Sequence, residues 1–226
     1  MSIIIRHLNK HYREGDVDHP VLSDLSTTLA EGEIVALLGS SGCGKSTLLN
    51  LIGGLDRPDS GQIVVDGQDI VALSEAERTR WRRRDVGLVF QFFNLIPTLT
   101  VAENARLPLA LNQRDTPAER QRAAELLSRV GLGQRLDAYP EQLSGGQQQR
   151  LAIIRALVHQ PRLLLADEPT GNLDETTGEQ VLDLLLELVR PLSTTVLLVT
   201  HDRNIAQRTD RILELHNGRL SEPSSA

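Results

Sequence analysis

Runs of consecutive apolar residues punctuate the chain at strand length. Ile34-Val35-Ala36-Leu37-Leu38, Val86-Gly87-Leu88-Val89-Phe90, Leu163-Leu164-Leu165-Ala166 and Thr195-Val196-Leu197-Leu198-Val199 carry no charge. They predict strands buried on both faces, as in parallel sheets covered by helices. Helical spacing follows some of them, at Leu48-Leu49-Asn50-Leu51-Ile52 and over the amphipathic stretch Glu175 to Val189. The alternation implies a layered α/β core. Shorter strands are predicted at Ile3 to Leu8, at Gln62 to Val65 between the turn signals Asp59-Ser60-Gly61 and Asp66-Gly67, and at Arg211 to Leu215 before His216-Asn217-Gly218. Between the first of these and Val21 the pattern reads as a polar loop holding Tyr12, Gly15, Asp16, Asp18 and Pro20; residues 221–226 read as a frayed tail.

Helix starts are marked by capping boxes at Ser74-Glu75-Ala76-Glu77, Thr100-Val101-Ala102-Glu103 and Thr116-Pro117-Ala118-Glu119, the last with proline at the first helical position. Residues 100 to about 160 are therefore expected to be mostly helical, as a subdomain inserted into the α/β core. No low-complexity linker flanks it, so it is expected to pack on the core and pivot slightly.

Length and charge narrow the function classes. A chain of 226 residues accommodates one large α/β domain with such an insertion, and a formal net charge of −6 argues against a general nucleic-acid binder. The lone cysteine, Cys43, cannot form an internal disulfide, which points to a reducing compartment. No apolar run reaches the length of a membrane span, and Met1 to Arg6 turns polar too soon for a signal peptide. The most basic stretch, Arg78, Arg80, Arg82, Arg83 and Arg84 around Trp81, reads either as a solvated helix face or as a contact for a membrane partner or anionic headgroups.

Three stretches carry chemistry. Gly39-Ser40-Ser41-Gly42-Cys43-Gly44-Lys45-Ser46-Thr47 has the spacing G-x-x-x-x-G-K-S between a predicted strand and a helix, a phosphate cradle at a helix N-terminus. Its glycines let the backbone wrap the β- and γ-phosphates, Lys45 neutralises their charge, Ser46 offers a hydroxyl to Mg²⁺, and Thr47 can reach the α-phosphate. Asp167 ends an apolar strand, where its carboxylate can hold Mg²⁺ through water; Glu168, one residue on, is free to orient and deprotonate an attacking water. Ser144-Gly145-Gly146-Gln147 combines a capping box with two glycines in a first helical turn, a second anion site with exposed N–H groups. Tyr12 and His201 are less specific: a loop Tyr that could stack on a flat base, and a His that reads alone as an ordinary strand-end residue.

The order of these motifs, a phosphate loop, then Leu143-Ser144-Gly145-Gly146-Gln147, then Asp167-Glu168 after an apolar strand, resembles the ATP-binding subunits of ABC transporters over essentially the whole chain. The resemblance implies a P-loop NTPase fold in one ABC ATP-binding domain. A RecA-like α/β core of about 1–91 and 160–226 would carry an antiparallel β subdomain, with an inserted α-helical signature subdomain of about 92–159. It further implies that Ser144, Gly145, Gly146 and Gln147 act in trans on ATP bound by a second copy, that His201 contacts the γ-phosphate, and that Gln91 senses Mg²⁺ and the attacking water. Tyr12 would stack on adenine, and Asp174 would touch the opposite protomer.

The run Asp167 to Asp174 together with Phe93 to Asn104 is similar to the group containing LolD, MacB, YbbA and FtsE. That likeness implies a homodimer driving an integral-membrane permease of the lipoprotein-release or macrolide-export type, peripheral on the cytoplasmic face of the inner membrane. The alternative within the group is mechanical signalling without transport. The surface from Phe92 through Pro97 is where the resemblance puts the groove for the membrane partner, although Phe92 or Phe93 could equally pack in a core.

Overall fold

A computed structural model describes residues 1–15 and 17–222. Asp16 and the tail beyond Glu222 lie outside the described residues. In chain order the first half comprises β1 (Ile3–Glu14), β2 (Val17–Leu29), β3 (Ile34–Leu38), α1 (Lys45–Ile52), β4 (Ser60–Val65), β5 (Gln68–Asp69), α2 (Glu75–Asp85), β6 (Val86–Val89) and α3 (Val101–Leu111). The second half comprises α4 (Pro117–Arg129), α5 (Gly145–Leu157), β7 (Leu163–Asp167), α6 (Glu175–Val189), β8 (Thr195–Val199), α7 (Arg203–Ala206), β9 (Arg211–His216) and β10 (Arg219–Ser221). They gather into two compact units, Met1–Arg82 with Ser193 onward, and Arg83–Leu192.

In the first unit, β3 lies between β8 and β9, parallel to both, with Ala36 opposite Leu198 and Ile212. Every residue of β3 and β8 is buried, as unbroken apolar runs require. A separate antiparallel sheet has the order β2-β1-β4-β5. Here the expected polar loop around Tyr12 is corrected: β1 and β2 form one long hairpin in which Tyr12 pairs with His19 and Arg13 with Asp18. The polar side chains ride on backbone whose N–H and C=O groups are satisfied across the ladder, a long-range pairing that local polarity does not reveal. Register slips between Ile5 and Leu8, where His7 takes φ 49° and its N–H bonds Ser26 Oγ. Similarly, Ser221 is not frayed: it ends β10, paired with Glu214 of β9.

Helix α2 carries the arginine-rich stretch. Trp81 and Arg78 are buried, and Arg78 and Arg82 both pair with Glu75. Arg82 also donates to the Gly54 carbonyl, and Arg84 pairs with Asp85 at 2.7 Å. Arg78 and Arg82 are thereby tied into the fold, while Arg80, Arg83 and Arg84 are exposed.

In the second unit, β6 and β7 pair in parallel from Val86 opposite Leu163 to Val89 opposite Ala166. Helix α3 opens on a complete capping box at Thr100 and Glu103. Its next N–H groups, of Val101 and Ala102, donate to the carbonyls of Ala138 and Leu136. The box expected at Thr116 is only half made. Thr116 caps Glu119 N–H, but the Glu119 carboxylate turns to Arg114 and Arg122, whose charges attract it more strongly than a backbone amide. Helix α5 is buried along Leu151, Ala152, Ile153 and Ile154.

Candidate active site

The phosphate loop connects β3 to α1. Gly44 is the N-cap of α1 with φ 105°, and no side chain among the described residues caps the first turn, a helix start of the kind that presents its N–H groups to an anion. A Cβ at Gly44 would lie 2.8 Å from Val21 Cγ1, which leaves glycine as the residue that fits both the conformation and the space. Lys45 is buried and its Nζ donates to the carbonyls of Gly39 and Ser40, each at 2.8 Å. The ammonium is thus folded onto the loop it serves. Ser40, Ser41 and Ser46 are exposed, and Cys43 and Thr47 half-buried. Cys43 packs its sulfur at the loop base, 2.6 Å from where a Cβ on Gly39 would stand.

Parallel pairing brings His201 to the same end of the first unit. Thr200 N–H bonds Leu37 O at 3.2 Å, so exposed His201 leaves β8 beside the point where β3 enters the phosphate loop. Tyr12 sits on β1, 43% exposed, with its hydroxyl 3.2 Å from Asp56 Oδ2. Asp56 also pairs with Lys10 at 2.9 Å, and Lys10 Nζ stands 5.1 Å from the Tyr12 ring centre. Burial alone would raise the Asp56 carboxyl; Lys10, the Arg57 N–H and the Tyr12 hydroxyl outweigh it and hold the carboxyl below its usual range. One face of the ring is thereby fixed against a cation.

In the second unit, Gln91 and Glu168 converge. A Cβ placed on Gly171 would stand 3.0 Å from Gln91 Nε2 and 3.3 Å from Glu168 Oε2. Asn172 clasps Gln91 in both directions, donating to its carbonyl at 2.8 Å and accepting from its side-chain amide at 3.3 Å. Asp167 closes β7, half-buried, and Glu168 turns off the strand with φ 44°. Beyond Gln91 the chain kinks through Phe93 and Asn94, at φ 45° and 50°. Arg155 of α5 donates to both of their carbonyls, at 2.7 and 2.5 Å. Phe92 is 71% exposed and Phe93 half-buried.

Ser144 caps α5: its hydroxyl accepts Gln147 N–H, and Gln147 Oε1 accepts Ser144 N–H at 3.0 Å. Ser144 and Gly145 are exposed, but Gly146 is buried, and a Cβ there would meet Thr177 Cγ2 at 2.6 Å. Gly146 thus has a packing reason against α6, whereas a Cβ on Gly145 would make only ordinary contacts, 3.5 Å from Leu173 Cδ2 and 3.8 Å from Phe93 Cζ. Asp174 caps α6, and the Thr177 N–H it accepts holds its carboxyl below the ordinary range.

The ABC transporter family model matches residues 22–171, a span that holds the phosphate loop, the Ser144 turn and Glu168. The chain belongs to the ABC transporter family. The LolD ATP-binding protein of the lipoprotein-releasing system from Xanthomonas campestris pv. campestris (strain 8004) is 50% identical over 215 residues, 95% of this chain and 90% of that one. Its counterpart from Pseudomonas fluorescens is also 50% identical, over 95% of each chain. An uncharacterized ABC transporter ATP-binding protein of Mycobacterium tuberculosis is 48% identical over 96% of this chain and 87% of its own. Among solved structures, the dimeric bacterial ABC transporter cassette MJ0796 superposes with a TM-score of 0.88 at 41% identity, over 99% of this chain and all of that one. Its post-hydrolysis dimer with ADP and phosphate gives 0.88 at 40%. This chain is an ATP-binding, ATP-hydrolysing subunit with the P-loop NTPase cassette fold.

Several side chains that shape the cassette carry no motif of their own. Asp56, which orients Tyr12, and Arg155, which holds the kink after Gln91, act through contacts 44 and 62 positions away. Asn172 lies inside a recognisable run, yet its grip on Gln91 is visible only in three dimensions. Among the described residues no three His, Cys, Asp or Glu side chains cluster as a metal site. The Ser46 hydroxyl, Asp167 carboxylate and Gln91 amide are nonetheless all hard oxygen donors, the chemistry that suits Mg²⁺. No helix among the described residues is long and apolar enough to cross a membrane.

Proposed function

We propose that two copies of this cassette bind two ATP molecules head to tail and drive an integral-membrane permease of the lipoprotein-releasing type, from the cytoplasmic face of the inner membrane. The observation that carries the hydrolytic assignment is the convergence of Gln91 and Glu168 over Gly171. Lys45 and the uncapped N–H groups of α1 bind the phosphates of one copy. The Ser144 hydroxyl and Gly145–Gly146 turn of the second copy close on the same nucleotide, and Asp174 lies in the loop that meets that copy. Tyr12 stacks on the adenine, on the face opposite Lys10.

Glu168 accepts the proton of the attacking water as its oxygen bonds to the γ-phosphorus and the bond to the β-phosphate oxygen breaks, leaving ADP and phosphate. Gln91 orients that water, and His201 donates to the γ-phosphate as charge develops on its oxygens. Bound Mg²⁺, held by Ser46, Asp167 and Gln91, supplies further neutralisation of the phosphate oxygens. Exposed Phe92 fits contact with the membrane subunit, and the LolD relatives support the substrate class.

The E168Q variant tests this. Its ATP turnover should fall by about 10²–10⁴ while ATP affinity stays and dimers accumulate on a sizing column. Normal turnover would overturn the role of Glu168. In vesicles that hold the membrane subunit and an acylated protein, wild type should release that protein and E168Q should not. Intact ATP turnover without release would remove the lipoprotein class and leave the ATPase standing.

A further inference from the structure

Gln149 is fully buried in α5, and sequence motifs give it no task. Its Nε2 donates to the carbonyl of Pro169 at 2.6 Å and lies 3.4 Å from the carbonyl of Phe90. Phe90 immediately precedes Gln91, and Pro169 immediately follows Glu168. One amide therefore touches the main chain beside both members of the hydrolytic pair. Gln149 Oε1 is buried with no partner among the described residues. A Met would fill the same space with no orphaned oxygen, so what the amide adds is its N–H pair.

The held loop needs an anchor. Glu168 has φ 44°, unusual for a residue with a side chain, and it stands before a proline, which favours extended backbone in its predecessor. A turn bond from Gly171 N–H to Glu168 O at 3.0 Å closes the loop from one side, and Gln149 fixes it from the other. Strained backbone persists only where its surroundings determine it.

We propose that Gln149 is a positioning residue for hydrolysis. It clasps the carbonyls beside Gln91 and Glu168, so that the helix whose first turn engages ATP in the other copy also sets the hydrolytic pair of its own. The inference rests on the reading of Glu168 as the base. A movement of α5 at Ser144 reaches Gln149 within two turns of helix and, through it, both loops.

The full-length chain with Q149M and Q149E tests the clasp, with E168Q measured alongside. Q149M should retain the wild-type near-UV spectrum and melting temperature above the assay range. Its kcat should fall about tenfold or more, with KM for ATP within about threefold, because the loss lies in alignment. The protonated carboxyl of Q149E can donate to Pro169 O and the ionised form cannot, so its rate relative to wild type should rise as pH falls, while the Q149M ratio stays flat. A Q149M kcat within twofold of wild type, a loss that follows unfolding or ATP affinity, or a flat Q149E ratio would each overturn the proposal. If E168Q is silent and Q149M normal, the clasp alone fails; if E168Q turns over, the reading beneath it fails.

Discussion

The phosphate loop and the Gln91–Glu168 pair are both polar segments at strand ends, and they are held differently. Lys45 bonds carbonyls six and five positions before it, and Gly44 supplies the positive φ itself. Gln91 is clasped by Asn172, 81 positions away, and its neighbour Phe90 and the Glu168 loop by Gln149, 59 and 20 positions from their carbonyls. The first site carries its own scaffold within one short motif. The second borrows its scaffold from α5 and from the loop before α6. A contiguous motif can thus bind phosphate almost anywhere a strand runs into a helix, whereas the hydrolytic pair exists only once distant segments have packed.

The sharpest break of this contrast is G44A. With φ 105° and a Cβ 2.8 Å from Val21, stability should fall by about 1–3 kcal/mol and ATP affinity by about 100-fold, read by denaturant melts and nucleotide titration. Affinity kept within a few fold would show that the loop is not self-scaffolded. N172A probes the other side and should be milder. Its kcat should drop about tenfold, about 1.4 kcal/mol of barrier, with ATP affinity unchanged. Should affinity fall instead, the two sites are not separable as described.

The smallest effect is expected from pH. His159, just beyond α5, is buried with Nε2 3.2 Å from Val86 O and Nδ1 without a partner among the described residues. Burial pushes its pKa down; nearby Arg114 and Arg122 add to this, and Asp85 opposes it. The unfolded chain therefore binds the proton more readily. Stability should hold above the unfolded pKa near 6.5 and decline as pH falls below it, by at most about 1.4 kcal/mol per pH unit until the folded pKa is reached. Hydrogen-exchange protection, corrected for the intrinsic pH dependence of amide exchange, should fall at pH 5.5 in α5 and hold in α1; an equal loss in both would mean that His159 does not govern it.

Much of the fold was legible as pattern. The apolar runs at 34–38 and 195–199 are strands with the expected bounds, and α6 spans Glu175–Val189 as its amphipathic spacing predicts. The hairpin around Tyr12 was not, because its polar residues look like a loop until β2 pairs with β1. The half-made cap at Thr116 failed for a similar reason, since Glu119 found arginines that short-range rules do not count.

What the amino-acid order determined alone was whatever depends on neighbours: strand runs, helix caps, and a glycine-lysine turn whose groups satisfy one another over a few residues. What tertiary structure decided was every contact between segments far apart in the chain, among them the convergence of Gln91 and Glu168, the burial of Gly146 against Thr177 and the reach of Gln149 to two carbonyls. The reason is physical. Hydrophobic burial and local hydrogen bonding follow periodicity and composition, while a single directed bond requires two groups to arrive within about 3 Å in the right orientation, which only the packed chain enforces.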